Sequence, residues 1–78
     1  MNILFTCAGR RNYLINYFKE ALEGIGKVFV TDMQQNAPAM MDADISIQVP
    51  EIYNEYYIEC IKNIVEKNNI KARFYIFI

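Results

Sequence analysis

Six consecutive residues, Thr6-Cys7-Ala8-Gly9-Arg10-Arg11, hold most of what this sequence offers for chemistry. They join an apolar run to an amphipathic one. A turn of that kind leaves backbone N–H groups free to meet a phosphate or a carboxylate. The two arginines fall where the following helix begins, an end that already carries about half a positive charge. A bound anion would relieve that repulsion, and so would solvent or a neighbouring carboxylate. Anion binding and a solvated loop with one turn-forming glycine therefore both stay open, with Gly9, Arg10 and Arg11 as the candidate ligand-binding residues. Asp32, which closes the second apolar run, is the fourth candidate. An acid at that place can accept hydrogen bonds from ligand hydroxyls, or it can shape a turn by accepting loop N–H groups.

Several familiar chemistries are excluded. Gly9 stands alone, whereas the dinucleotide fingerprint needs three glycines at set spacing, and Asn12 or Tyr13 falls where the others would be. The phosphate loop of NTPases fails for want of Gly-Lys-Ser/Thr. The chain has no histidine, which removes the commonest general base, the usual triads and most zinc sites. Its single serine, Ser46, lies in a strand-like stretch, so no nucleophile elbow is present. Cys7 and Cys60 are far apart and form no metal-spaced pair. Cys7 lies where a helix start and two cations favour a thiolate; the bland reading of both thiols is structural. No catalytic residue and no metal ligand is expected.

These residues need elements to position them. Asn2 to Thr6 reads as a strand buried on both faces. Leu14, Phe18, Ala21, Leu22 and Ile25 recur at helical spacing opposite Asn12, Asn16, Lys19, Glu20 and Glu23, and Gly24 and Gly26 stop that helix. Lys27 to Thr31 is a second buried strand. Pro38 suits the first turn of a short helix ending near Ala43. Asp44 to Val49 alternates as an edge strand does, and Pro50 ends it. Asn54 reads as the N-cap of the longest helix, 54–68, with Tyr57, Ile58, Ile61, Ile64 and Val65 as its apolar stripe. Residues 72–78 form a last apolar strand. Met33, Met40 and Met41 read as core gap-fillers. Tyr53, Tyr56 and Tyr57 read as core or interface packing, and Cys60 as a small buried hydrophobe.

The order β-α-β-α-β-α-β predicts an α/β, Rossmann-like three-layer sandwich around a four-stranded parallel sheet. With right-handed crossovers and a strand order of 3-2-1-4, the first two helices share one face and the long helix takes the other. The order then reverses between strands one and four, which places a crevice beside Cys7 to Arg10.

The bulk numbers agree with one small domain. The 78 residues are 54% hydrophobic and 22% charged with net charge −1, which argues against disorder and gives no reason to expect nucleic acid as a partner. No stretch approaches the roughly 20 apolar residues of a membrane helix, and the N-terminus lacks the basic region of a signal peptide. Few, separated cysteines point to a reducing cytoplasm. A chain of this length buries only about 60% of its unfolded surface, so marginal stability is expected.

Taken together, Ile3 to Arg11, then Asp32, then Ala37-Pro38-Ala39 with Ala43-Asp44, and Val49-Pro50 resemble the N-terminal segment of ATP-grasp proteins, those similar to the carbamoyl-phosphate synthase large chain. The resemblance covers residues 1 to about 72. It implies a pre-ATP-grasp domain, which precedes the domains that bind ATP and magnesium and join a carboxylate to an amine through an acyl phosphate. Gly9, Arg10 and Arg11 match the family's first loop, which faces the substrate cleft and is not the ATP site, and Asp32 matches its acid after the second strand. Cys7 stands where the family usually has serine. After Ala72 the family continues with an aliphatic strand and an acidic loop, whereas this chain gives Arg73 to Ile78. The resemblance thus implies a single domain over 1–78 that is incomplete at its C-terminus through truncation or a frame change. It further implies a domain inactive alone, no cofactor in this chain, and a downstream ATP-grasp domain as its missing partner. The last strand, an apolar edge, is expected to build a homo-oligomer. A stand-alone nucleotide-binding domain and a non-catalytic interaction module are the other readings.

Overall fold

The structure, a computed structural model, describes residues 1–6 and 10–75. Its elements follow in the order β1 (Asn2–Thr6), α1 (Asn12–Ala21), β2 (Val28–Asp32), α2 (Pro38–Asp42), β3 (Ile45–Gln48), α3 (Tyr57–Lys67) and β4 (Ile70–Tyr75). The four strands pair in parallel in the order β3-β2-β1-β4. Phe5 lies opposite Val30 on one side and Phe74 on the other. This is the Rossmann-like α/β arrangement that the alternation of elements predicts.

Because side chains alternate across a strand, each central strand feeds both faces of the sheet. Ile3, Phe5, Val28 and Val30 pack with Ile15 and Leu22 of the first helical segment and with Ala39 and Met40 of α2. Leu4 and Phe29 pack on the opposite side with Tyr57 and Ile61 of α3 and with Ile70. Helices α1 and α2 thus form one outer layer and α3 the other. Phe5 and Phe18 meet edge to face at 5.2 Å between ring centroids, a favourable arrangement of ring quadrupoles. The edge strand β3 turns Ile45 and Ile47 inward and leaves Ser46 and Gln48 exposed.

The elements depart from expectation at their ends. Helix α1 stops at Ala21, and a turn through Gly24 carries the chain to β2. Gly24 has φ +82°, a conformation that favours glycine. At Gly26 a Cβ would overlap the Met1 carbonyl, so the close passage of the N-terminus requires glycine there. Helix α3 starts at Tyr57, not at Asn54. The Asn54 side-chain oxygen accepts the Tyr56 N–H at 2.8 Å and its carbonyl accepts the Tyr57 N–H at 3.0 Å. Asn54 therefore closes a turn ahead of the helix instead of capping it. Strand β4 begins at Ile70, two residues earlier than expected, because Asn69 takes the left-handed conformation (φ +53°) and turns the chain at once.

Helix orientation also departs from the simple stripes. Ile15 and Leu22 are buried, Leu14 and Phe18 lie at the flank, and Ala21 and Ile25 are exposed. In α3, Ile58 is 66% exposed while Tyr57 and Ile61 are buried. Of the methionines expected to fill gaps, Met40 does, but Met33 and Met41 are exposed. Met41 follows the buried Met40 on α2, and Met33 follows the half-buried Asp32 just past the end of β2. Tyr57 joins the core while Tyr53 and Tyr56 stay exposed, and Cys60 is a half-buried free thiol. No helix among the described residues is long and apolar enough to cross a membrane.

Candidate functional site

All four strands run the same way, so their C-terminal ends, and the loops that follow β1 and β2, meet at one end of the sheet. Arg10 and Arg11 leave β1 there, and Asp32 is the last residue of β2. The structure brings these three candidates together. They line a cleft of about 630 Å³ whose far wall is Gln34, Asn36, Ala37 and Pro38, the loop and first residue leading into α2. Gly9, the fourth candidate, lies outside the described residues, as does Cys7.

The cleft opens on the β2 side of β1, on the face covered by α1 and α2. Arg10, beside which the sequence places a crevice, is in its lining; Cys7 to Gly9 lie outside the described residues. The right-handed crossover carries α1 back over β1 and β2, so its N-terminus and the arginines travel with it.

The electrostatics of the near wall are unbalanced. Arg11 is the N-cap residue of α1, no side chain caps that helix, and its first turn holds no acidic residue. The start of the helix and the positive end of its dipole thus have neither a capping bond from the Arg11 side chain nor a first-turn acid. The Arg11 Nε is buried without a hydrogen-bond partner among the described residues. A buried donor left unpaired costs about 1–3 kcal/mol, more for a charged group. Neither arginine pairs with Asp32 among the described residues.

Asp32 is half-buried, and its Oδ1 accepts the Gln34 N–H at 3.0 Å. This is the turn-shaping role, with the carboxylate two residues ahead of its donor. Its other oxygen accepts no hydrogen bond from a described residue and is free for a ligand. The Val49 N–H donates to the Asp32 carbonyl at 3.0 Å and the Gln48 side-chain amide to the Met33 carbonyl at 3.1 Å, which hold the β2 end against β3.

Sequence reasoning missed Gln34 and Asn36, which reads as plain loop, and it missed Asn12. The Asn12 Nδ2 donates to the Pro38 carbonyl at 2.8 Å and to Asp42 Oδ2 at 2.7 Å. Asn16 Nδ2 donates to the same Asp42 oxygen at 3.0 Å. These bonds lower the Asp42 pKa, the Asn12 bond most, with Asn16 next and Lys19 adding a weaker attraction against the cost of partial burial. The available signal was the polar face of α1, where Asn12 and Asn16 fall one turn apart. Among the described residues no three of Cys, Asp and Glu come close enough to hold a metal ion.

The family model for the PylC-like N-terminal domain matches residues 3–76. A search of curated proteins finds no match. A parallel 3-2-1-4 sheet, two helices on one face and one on the other, and a model spanning almost all of the chain lead to one assignment: the chain belongs to the PylC-like N-terminal domain family, the pre-ATP-grasp domain of ATP-grasp ligases.

Proposed function

We propose that this chain is the N-terminal, substrate-side domain of an ATP-dependent carboxylate–amine ligase of the carbamoyl-phosphate-synthase-like kind, working in the cytoplasm. Its own contribution is an anion-holding cleft lined by Arg10, Arg11 and Asp32, to which the sequence adds Gly9 as a candidate. The buried Arg11 Nε, unpartnered among the described residues, carries this reading, because a bound anion would supply an acceptor that those residues do not. The uncapped start of α1 favours the same charge. Asp32, across the cleft, would accept a hydrogen bond from a donor on the same ligand.

ATP and magnesium belong to the domain that follows in such ligases. The described residues do not fit them: no acidic cluster suits a metal, and the β1–α1 connection lacks the glycine-lysine pattern that cradles a triphosphate. The domain by itself is therefore taken to be non-catalytic. Calorimetric titration of the chain with phosphate and, separately, with Mg-ATP tests the reading. Phosphate is expected to bind, and Arg11→Ala to weaken it about tenfold, the equivalent of about 1.4 kcal/mol. Mg-ATP is expected to show no saturable micromolar binding. Equal phosphate affinity in Arg10→Ala, Arg11→Ala and wild type would remove the cleft from the proposal.

A further inference from the structure

We propose that Asn12 is the positioning residue of the cleft, a latch that sets the gap between its two walls; this rests on the cleft reading above. One wall is Arg10 and Arg11, and the other is the loop from Asp32 to Pro38. Asn12 follows Arg11 directly and is the first residue of α1. Both hydrogens of its carboxamide nitrogen are used, one on the Pro38 carbonyl and one on Asp42 Oδ2. Pro38 is itself in the far wall and is the first residue of α2, while Asp42 is its last. A single side chain therefore holds both ends of α2 to the start of α1.

No other hydrogen bond among the described residues crosses from 10–16 to 32–42, except that of Asn16 to Asp42. That bond reaches only the end of α2 away from the cleft. Helix α2 has five residues and no side-chain cap, so it has little stability of its own to hold the far wall in place. Both partners of the Asn12 nitrogen are acceptors, which fixes the orientation of the carboxamide. Losing Asn12 should free the wall without touching either guanidinium or Asp32. Losing Asn16 removes a bond to the same carboxylate and leaves the wall where it is.

The two variants Asn12→Ala and Asn16→Ala of the whole chain separate positioning from simple stability. Amide hydrogen exchange is followed at residues 34–40 and, as a measure of global stability, at Val28 to Val30; phosphate affinity is measured alongside. In Asn12→Ala, exchange at 34–40 is expected to rise at least tenfold above any change in β2, with phosphate affinity down about tenfold. In Asn16→Ala both are expected to stay within about twofold of wild type. Should Asn12→Ala fail to fold, Asn12→Ser, which keeps a donor too short to reach both acceptors, takes its place. Equal behaviour of the Asn12 and Asn16 variants overturns the latch. If wild type binds no phosphate while exchange at 34–40 still rises in the Asn12 variant alone, the anion reading fails and the latch stands.

Discussion

At the scale of single residues the chain spends its polar side chains on joints between elements. Asn2 is one: its Nδ2 donates to the Asn68 carbonyl at 2.7 Å, and its Oδ1 accepts the Lys27 N–H at 3.1 Å, which ties the start of β1 to both neighbours. Asp44 is another, accepting the Val28 N–H at 2.8 Å where β2 begins. Asp42 is the joint with a pH signature. Its carboxyl titrates below the usual value of 3.8 in the fold, because the amides of Asn12 and Asn16 bond to the charged form. A depressed carboxyl stabilises the fold above its unfolded pKa, and that stabilisation is lost as pH falls through the folded pKa. The α1–α2 joint should accordingly weaken below about pH 3.8. Asp42→Asn, which cannot titrate, should lose that part of the acid dependence. Thermal unfolding of both proteins between pH 3 and pH 6 checks it; parallel curves would contradict the assignment.

At the scale of elements the rotation of each helix decides which residues carry stability. The apolar residues of α3 include both Ile58 and Ile61, and the sequence alone treats them alike. The fold buries Ile61 to 3% exposure and leaves Ile58 at 66%. Ile61→Ala should therefore cost about 2–5 kcal/mol, as deletion from a packed core does. Ile58→Ala should stay within about 0.5 kcal/mol of wild type, as exposed positions do. Denaturant unfolding of the two variants distinguishes this rotation from one centred on Ile58, which would reverse the order.

At the scale of the whole molecule β3 and β4 are the edge strands of the sheet among the described residues. The radius of gyration, 11.5 Å, equals the value of about 11.5 Å expected for a compact domain of this length. Compactness does not pair the outer N–H and C=O groups of an edge strand, which recruit other chains. The short β3 alternates apolar with polar residues, whereas the sequence from Phe74 to Ile78 is uninterruptedly apolar or aromatic. We expect the 78-residue chain to associate through β4, and Tyr75→Lys to shift it toward monomer, because charge on an edge opposes pairing. Sedimentation at low micromolar concentration is the measurement, and a wild-type chain that stays monomeric contradicts it. Residues 76–78 lie outside the described residues, so this expectation rests on their sequence and on the edge position of β4.

What the sequence determined by itself was everything that depends on period and order. Doubly apolar runs at β1 and β2, the alternation in β3 and the helical spacings between them admit one layered α/β plan, and the handedness of crossovers then assigns each helix to its face. Arg10, Arg11 and Asp32 could each be singled out from their places after the first two strands, but the cleft that they share is seen only in the fold. Only the tertiary structure decided the rest. Periodicity specifies an apolar arc but not the angle at which the arc meets the sheet, so the stripe read from the sequence took Leu14 and left out Ile15, which the fold buries, and it could not separate Ile61 from Ile58. Asn54 carries the chemistry of a cap, yet whether it closes a turn or starts a helix depends on where packing lets Tyr57 enter the core. Asn12 looked like one more polar residue on a wet helix face. Its partners Pro38 and Asp42 lie 26 and 30 residues away in the chain, and only the docking of α2 against α1 brings them within hydrogen-bonding distance.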